Sequence, residues 1–375
     1  RPGIVSVGPV LIAMIADFQL SHSMASMLTT IPDLLMGLLA LPTPWLASRY
    51  GRNPVLLLAL LLLGVSILLR ALVTTVPGLL LTTAGVGAGV AIAGALMAGY
   101  IKGRFPHNTA QVMGIYAMAL SLGSTLSAAA TGPMAAQADA GWRLGTGIWA
   151  LFAILGLLAW GGLSYQAAHR HQPVAAVTRL PWRNSTAWRV ALFFAADNFL
   201  FYALLAWTAP MYLESGLGNT QAGFVLATYT AVFMLSNPVL GALSQSLDRR
   251  RWLALCAGLA LSGLTWLAIA PMSAPFLAIA LCAFGLGGAF TLGMTLPLDN
   301  TQTVGETNAW NAFALTIGYL IAALGPLSVG YLRDLTQDFQ ASRWLLVVIA
   351  AGMLLLTPLL KPVQPSPAGS PLITP

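Results

Sequence analysis

Charged residues are scarce in this chain of 375 residues: they make up 7% of it, against about 25% in an average soluble protein. Lysine occurs only at Lys102 and Lys361. A soluble enzyme of this length would expose far more Lys, Glu and Asp, and a disordered or fibrous protein would not carry 58% apolar residues. These shortages exclude those classes and leave an all-α polytopic membrane protein.

Cysteine is equally scarce, because the sequence holds only Cys256 and Cys282, both inside apolar runs. That spacing excludes a disulfide framework and a cysteine metal cluster, so we expect two small core residues. No Ser-His-Asp set, metal cluster or pair of catalytic carboxylates stands out, and we therefore predict no enzyme, no metal and no cofactor. The histidines fall between apolar runs, where we expect them to be solvated; they are His22, His107, His169 and His171.

Apolar runs of about the 20 residues that a bilayer-spanning helix needs occur twelve times, in two sets of six. We predict spans near 1–19, 24–46, 54–73, 77–101, 108–133, 143–165, 189–212, 220–246, 252–271, 275–298, 304–330 and 343–361. The chain begins at Arg1, at the edge of a short first run, and we expect a native N-terminal stretch to precede it.

The widest gap between runs divides the chain into two halves. We predict an N-terminal six-helix half at 1–165, a cytoplasmic linker at 166–187 and a C-terminal six-helix half at 188–361. The Pro- and Ser-rich tail at 362–375 is predicted to be disordered.

Basic residues are divided unevenly between the loops on the two sides. One set of loops holds twelve and the other holds four, and this bias places the first set, the linker and both termini in the cytoplasm. The first set comprises Arg49, Arg52, Lys102, Arg104, Arg170, Arg179, Arg183, Arg189, Arg249, Arg250, Arg251 and Lys361. The second comprises Arg70, Arg143, Arg333 and Arg343.

The two halves match each other weakly at a shift of 197 residues, which places Asp17 on Glu214 and Arg52 on Arg249. A duplicated six-helix unit would leave such a pattern, and transporters built from parallel repeats bind their substrate near the midplane between the halves. The same shift places Arg1 on Asn198. Because Asn198 lies about ten residues into its run, both side chains are predicted at mid-depth.

The loop after the second run reads Leu46-Ala47-Ser48-Arg49-Tyr50-Gly51-Arg52. It resembles the inner loop motif of the major facilitator superfamily, Gly-x-Leu-Ala-Asp-Arg-x-Gly-Arg-Lys, with Ser48 in place of the Asp. A fainter copy in the second half reaches Arg249. The resemblance implies an inner gate at Arg49, Gly51, Arg52 and Arg249.

Further segments resemble the cyanate permease and 2-nitroimidazole transporter branch of that superfamily. They are Arg1-Pro2, Val7-Gly8-Pro9, Leu28-Thr29-Thr30-Ile31-Pro32, Leu69-Arg70, Ile101-Lys102-Gly103-Arg104-Phe105-Pro106-His107, Ala206-Trp207, Gly285-Leu286-Gly287-Gly288, Leu298-Asp299 and Gly318-Tyr319. This resemblance implies a secondary transporter of small solutes, cyanate-like or nitroimidazole-like, with Arg1 in mid-helix.

Ionisable side chains inside the bilayer are costly, so each is a candidate functional residue. Arg1 would bind a small anion through its guanidinium fork or else form a fixed pair with Asp33. Asp33 and Asp197 are alternative sites for proton coupling, and either could instead be a structural partner of a cation. Arg70 is expected near the outer interface, where it attracts anions, snorkels or forms a structural pair.

Polar and aromatic side chains at mid-depth complete the predicted substrate site. Asn198 and Tyr202 share one helical face with Phe201 and Leu205. The alternative to substrate binding is that this aromatic stripe only packs against neighbouring helices. The further candidates are Trp207, Tyr116, Trp310 and Asn311.

The sequence therefore predicts a monomeric, multi-pass secondary transporter of the bacterial inner membrane that works by alternating access. Its partners would be a small anion or small polar organic solute and, for symport, protons; nucleic acid is excluded as a partner by the dispersed positive charge. The alternatives are a proton-coupled exporter of amphipathic drugs, with a large apolar cavity, and a transport-silent membrane receptor.

Overall fold

The computed structural model describes residues 1–104, 109–137, 141–166, 179–244, 248–301 and 304–361. In these ranges the chain forms sixteen α-helices. They are α1 (Pro2–Val5), α2 (Leu11–Phe18), α3 (His22–Ala40), α4 (Thr43–Tyr50), α5 (Arg52–Leu72), α6 (Val76–Arg104), α7 (Thr109–Gln137), α8 (Trp142–Gly147), α9 (Ala150–Gln166), α10 (Ser185–Glu214), α11 (Asn219–Leu243), α12 (Arg250–Ile269), α13 (Pro275–Asp299), α14 (Val304–Ala322), α15 (Leu324–Thr336) and α16 (Gln340–Leu356). Most of the predicted linker, the predicted tail and His107, His169 and His171 lie outside the described residues.

Ten helical segments of the described chain are long and apolar enough to cross a membrane. The shorter apolar stretch Pro2–Phe18 and the 29-residue helix α7 complete twelve crossings. Helices α8 and α9 together form the sixth crossing, and α14 and α15 together form the eleventh. The predicted twelve-helix architecture is confirmed, with α1–α9 in the N-terminal half and α10–α16 in the C-terminal half.

The first crossing is interrupted where its sequence contains Gly8 and Pro9. A short 3-10 helix at Gly8–Val10 separates α1 from α2, because Pro9 has no N–H to continue an α-helical ladder. A Cβ atom at Gly8 would lie only 2.9 Å from the carbonyl oxygen of Leu205 on α10. Glycine therefore allows the first crossing to lie directly against the seventh at mid-membrane.

Helix α10 is the central element of the C-terminal half. In its spanning window 89% of the residues are buried inside the protein, a larger share than in the other candidate spans of the described chain. It packs against α11, α13, α14, α15 and α16. A membrane helix that contacts protein on all sides places any polar side chain in a cavity or against a partner rather than in lipid.

Besides the contact of the first crossing with α10, the two halves meet where α3 packs against α14 and α15 and where α7 packs against α11. At the end of the molecule predicted to be extracytoplasmic, Asp334 of α15 accepts hydrogen bonds from the backbone N–H groups of His22 and Ser23, at 2.8 and 2.7 Å. It also accepts a 2.6 Å bond from the Ser23 hydroxyl and lies 2.9 Å from His22 Nδ1. We call His22, Ser23 and Asp334 the outer cap.

The outer cap corrects the expectation that His22 is a solvated loop residue. His22 is the first residue of α3, and its ring lies 5.8 Å from that of Trp207 and 6.4 Å from that of Phe339. The unpaired N–H groups of a helix N-terminus attract a carboxylate. Asp334 supplies that carboxylate from the opposite half of the molecule.

The acids that the repeat aligns, Asp17 and Glu214, each bind an arginine of their own half. Asp17 lies 2.6 Å from Arg143, and Glu214 lies 2.9 Å from Arg333. Both pairs are partly exposed, so each contributes little to stability.

Candidate functional site

A cavity of about 90 Å³ lies between the two halves. The N-terminal half contributes Arg1, Leu120, Ser121 and Ser124 to its lining, and the C-terminal half contributes Asn198, Phe201, Thr230, Phe233, Asn237 and Phe290. Arg1 is the charged residue in this lining. The cavity therefore presents one fixed positive charge among hydroxyl, amide and aromatic groups.

Arg1 reaches across the cavity to the opposite half. Its Nη1 donates a 2.8 Å hydrogen bond to the hydroxyl of Tyr202, and its Cζ lies 5.9 Å from the centre of the Tyr202 ring. Tyr202 itself is buried. One hydrogen bond of the guanidinium thus joins the halves, and its other N–H groups, which bind none of the described residues, remain for a ligand.

Asn198 lies one helical turn before Tyr202 on α10 and also lines the cavity. Its Nδ2 donates a 2.8 Å hydrogen bond to the carbonyl oxygen of Phe194 in the preceding turn. The repeat predicts that Arg1 and Asn198 occupy similar depths, and the structure places both in the lining of the same cavity.

Asp33 is fully buried on α3, close enough to Arg1 for the two charges to interact. Neither of its carboxyl oxygens has a hydrogen-bond partner among the described residues, and the described ion pairs do not include Arg1 with Asp33. The fixed Arg1–Asp33 pair is therefore not formed here. An ionised carboxylate without donors is costly in such a place, and only the nearby guanidinium offsets that cost.

Asp197 is also fully buried and without a hydrogen-bond partner in the described chain, but its surroundings differ. It lies within electrostatic range of Tyr229 on α11, Cys256 on α12 and Cys282 on α13. It is not part of the cavity lining. Of the two buried acids, Asp33 is the one near the positive charge.

Arg70 lies in the last turn of α5, and its burial inside the protein contradicts the alternative that it snorkels. Only 2% of Arg70 is exposed, and its Nη1 donates a 2.9 Å hydrogen bond to the carbonyl oxygen of Gly3. The described part of the chain contains no acid paired with it, so it is not a charge-pair residue there. Arg70 instead holds α1, two residues from Arg1, against α5.

Trp207, a predicted substrate residue, is not in the cavity lining. It is fully buried near the outer cap, where its indole N–H donates a 2.9 Å hydrogen bond to the carbonyl oxygen of Pro326. Trp310 is buried on α14 and Asn311 is half-buried beside it, and neither lines this cavity. Tyr116 lies within electrostatic range of Arg1 but is not in the lining. Packing against other helices explains the two tryptophans.

Sequence reasoning missed the cavity residues of α11. Thr230, Phe233 and Asn237 are spaced i, i+3 and i+7, which places them on one helical face within an apolar run. That spacing is the sequence signal that would have identified these three residues as one polar and aromatic face. The Oδ1 of Asn237 accepts a 2.6 Å hydrogen bond from the hydroxyl of Thr291, which leaves its amide N–H groups as donors at the cavity.

The predicted inner gate residues of the N-terminal half lie where α4 ends and α5 begins, with Arg49 in α4 and Arg52 at the start of α5. Gly51 joins these helices with a φ of +86°, a left-handed conformation that favours glycine. The guanidinium of Arg49 lies 5.7 Å from the ring centres of both Trp45 and Tyr50, and that of Arg52 lies 5.8 Å from the ring of Tyr100. These contacts are cation–π interactions.

In the C-terminal half, Arg249 joins the start of α12 to the end of α13. It donates hydrogen bonds of 2.6 and 3.3 Å to the two carboxylate oxygens of Asp299 and a further 3.1 Å bond to Ser244 Oγ. In the same loop the guanidinium of Arg250 lowers the pKa of Asp248 to about 2, so that Asp248 is ionised at physiological pH. A gating role for these residues stays a prediction.

Comparison with known proteins identifies the family. The Major Facilitator Superfamily model matches residues 3–323 and 190–374. The chain belongs to the major facilitator superfamily. It is 32% identical over 365 residues to the cyanate transport protein CynX of Escherichia coli strain K12, a match that covers 97% of this chain and 94% of that protein.

Other relatives agree on the fold and the branch. The chain is 29% identical over 346 residues to the 2-nitroimidazole transporter of the same strain, covering 91% of this chain and 86% of that protein. A bacterial homologue of the human lysosomal transporter Spinster, in an inward-facing and occupied conformation, superposes with a TM-score of 0.79 at 18% identity, covering 96% and 94% of the two chains. The chain is thus a multi-pass membrane transporter and not an enzyme.

Proposed function

We propose that this chain is a secondary active transporter that moves a small anion across the membrane by alternating access. The observation that carries the proposal is that Arg1, which lines the cavity, donates a hydrogen bond to the buried Tyr202 of the opposite half. The relatives named for cyanate and 2-nitroimidazole transport support a small solute. Both termini would be cytoplasmic, and the bacterial relatives support an inner-membrane location.

Substrate binding would follow from the charge and shape of the lining. A guanidinium binds a planar oxyanion through two parallel hydrogen bonds, and the partial exclusion of water strengthens them. Arg1 belongs to the first half and Asn198 to the second, so an anion held by both would draw the halves together. Tyr202 would keep its hydrogen bond to the guanidinium while the anion binds the other N–H groups.

Proton coupling would use Asp33. In the empty cavity the positive charge of Arg1 partly offsets a negative charge on the buried Asp33. A bound anion would neutralise Arg1, and an ionised Asp33 would then lack compensation. Uptake of one proton by Asp33 with each anion would remove that cost, which favours anion–proton symport. Neither acid is in the cavity lining, but Asp33 interacts with the charge of Arg1 and Asp197 does not, so Asp197 would not sense the substrate in this way.

Uptake into proteoliposomes would test the proposal. The full-length protein would be offered labelled cyanate, nitrate, acetate and 2-nitroimidazole, with and without an inward proton gradient. We expect anion uptake that the gradient accelerates and that Arg1→Gln reduces at least a hundredfold, because the anion loses its charged partner. The matched control, Arg251→Gln, removes the same charge from an exposed position and should leave uptake unchanged.

Two results would overturn this function. The first is uptake of 2-nitroimidazole alone, unaffected by Arg1→Gln, which would make Arg1 a structural residue. The second is an equal loss of uptake in Arg251→Gln, which would show that total positive charge rather than the cavity site is responsible.

A further inference from the structure

Three phenylalanines from three helices of the C-terminal half form one side of the cavity. Phe201 of α10, Phe233 of α11 and Phe290 of α13 all belong to its lining. The ring centres of Phe201 and Phe233 are 4.6 Å apart, and those of Phe233 and Phe290 are 5.7 Å apart. We call these three residues the aromatic wall.

Hydrogen-bond donors lie around the aromatic wall. The described lining of this cavity contains no Asp or Glu. Arg1 supplies the positive charge, and Asn237 supplies amide N–H groups oriented by its bond to Thr291. The hydroxyls of Ser124 and Thr230 donate to carbonyl oxygens of their own helices, so they offer only lone pairs to a ligand. The site is therefore positive at Arg1, polar near Asn237 and apolar along the wall.

We propose that the substrate is a planar conjugated anion, an aromatic or heteroaromatic carboxylate, whose ring packs on the aromatic wall while its carboxylate binds Arg1. This inference rests on the anion-transport function proposed above. A bare inorganic anion loses its hydration shell on entering, and the phenylalanines return no hydrogen bonds for it. A conjugated ring instead gains offset or edge-to-face contact with the three rings.

The size of the cavity is consistent with such a molecule. One water molecule requires roughly 10–15 Å³ of cavity volume, so a cavity of 90 Å³ holds roughly six to nine water-sized groups. Benzoate, with nine non-hydrogen atoms, is at the upper end of that range. Pockets for drug-sized ligands have volumes of about 300–1,000 Å³, so this cavity is too small for an amphipathic drug.

Competition for transport would test the inference. Benzoate, nicotinate, acetate, cyanate and nitrate would be compared as inhibitors of labelled benzoate uptake in proteoliposomes, and as ligands that raise the thermal stability of the purified protein. We expect benzoate and nicotinate to act at concentrations at least tenfold lower than acetate, cyanate and nitrate.

The variant Phe233→Leu keeps an apolar side chain but removes the central ring of the wall. Loss of one aromatic contact should raise the KM for benzoate roughly three- to tenfold and leave the inhibition by acetate unchanged. Phe233→Tyr restores a ring and should restore the KM for benzoate. Phe224→Leu is the matched control, because Phe224 lies on the same helix and is 47% exposed on its outer surface.

The outcomes separate this inference from the function on which it rests. Arg1-dependent uptake with acetate or cyanate as effective as benzoate would overturn the aromatic specificity and leave the anion transporter intact. If Phe233→Leu weakens the binding of benzoate and acetate equally, the aromatic specificity is likewise overturned and the anion transporter remains. If none of these anions is transported or stabilises the protein, both proposals are wrong.

Discussion

Removal of the Asp334 carboxylate should open the protein at the outer cap, on the side predicted to be extracytoplasmic. Asp334 accepts two backbone N–H bonds at the start of α3 and a third from the Ser23 hydroxyl. Ser21 accepts the next N–H, from Met24, so the outer cap satisfies the first turn of α3. Alternating access requires the halves to separate here, and the three bonds across the interface must then be replaced by water.

The magnitude follows from the chemistry of these bonds. A hydrogen bond to a charged group contributes about 1.5–3 kcal/mol, and a helix N-cap about 1 kcal/mol. The side chain of Asp334 is 27% exposed, and water can replace its partners when the halves part. We therefore expect Asp334→Ala to favour the opened state by about 2 kcal/mol, which is about 30-fold. An equilibrium of 100 to 1 for closure would become about 3 to 1.

Labelling of a cavity cysteine would measure this shift. A cysteine introduced at Ser121, in the cavity lining, would react with a membrane-impermeant maleimide added to intact cells. The native Cys256 and Cys282 are buried and should give little background. The labelling rate should rise at least tenfold with Asp334→Ala and less with Asp334→Asn, whose side chain can still accept a hydrogen bond.

The control for this prediction is Asp338→Ala. Asp338 accepts a 2.8 Å bond from the N–H of Gln340 at the start of α16, so its loss removes a helix cap within one half only. The labelling rate of the Asp338→Ala variant should equal that of the wild type. An unchanged rate in Asp334→Ala, or an equal rise in Asp338→Ala, would refute the idea that the outer cap holds the two halves closed.

Two further predictions concern mid-membrane residues. Asp33→Asn keeps the volume of the side chain but cannot take up a proton. A proton gradient should then no longer accelerate anion uptake, while exchange of anion for anion persists. Retained acceleration would rule out Asp33 as the coupling group. Gly8→Val places a Cβ 2.9 Å from the carbonyl oxygen of Leu205 and should push the first crossing away from α10, lowering uptake at least tenfold with normal membrane insertion. Gly8→Ala, with less added volume, should have a smaller effect, and equal uptake in Gly8→Val and wild type would contradict the close approach.

Hydropathy alone predicted the twelve crossings, because a bilayer of fixed thickness imposes the length and composition of each helix. The weak repeat predicted similar depths for Arg1 and Asn198, since duplicated halves place equivalent residues at equivalent depths. The helical spacing of four residues from Asn198 predicted Tyr202 on the same side of α10. These inferences needed only local periodicity and the membrane as a boundary condition.

The sequence did not distinguish cavity-facing residues from residues packed between helices. Trp207 and Arg70 are as buried as Tyr202, but one donates to Pro326 and the other to Gly3. In lipid, the lining of a cavity and the face between two helices can have the same composition, so hydrophobic pattern does not separate them.

Contacts between distant segments were decided by the tertiary structure alone. The sequence places His22 and Asp334 in separate halves, 312 residues apart, and does not show that they meet. The aromatic wall likewise depends on the packing of α10, α11 and α13. The sequence by itself therefore determined the number of crossings and their order along the chain, through the energetics of the bilayer. Helix packing determined which side chains face the cavity and which close the outer side, because that choice depends on the relative rotation of helices far apart in the chain.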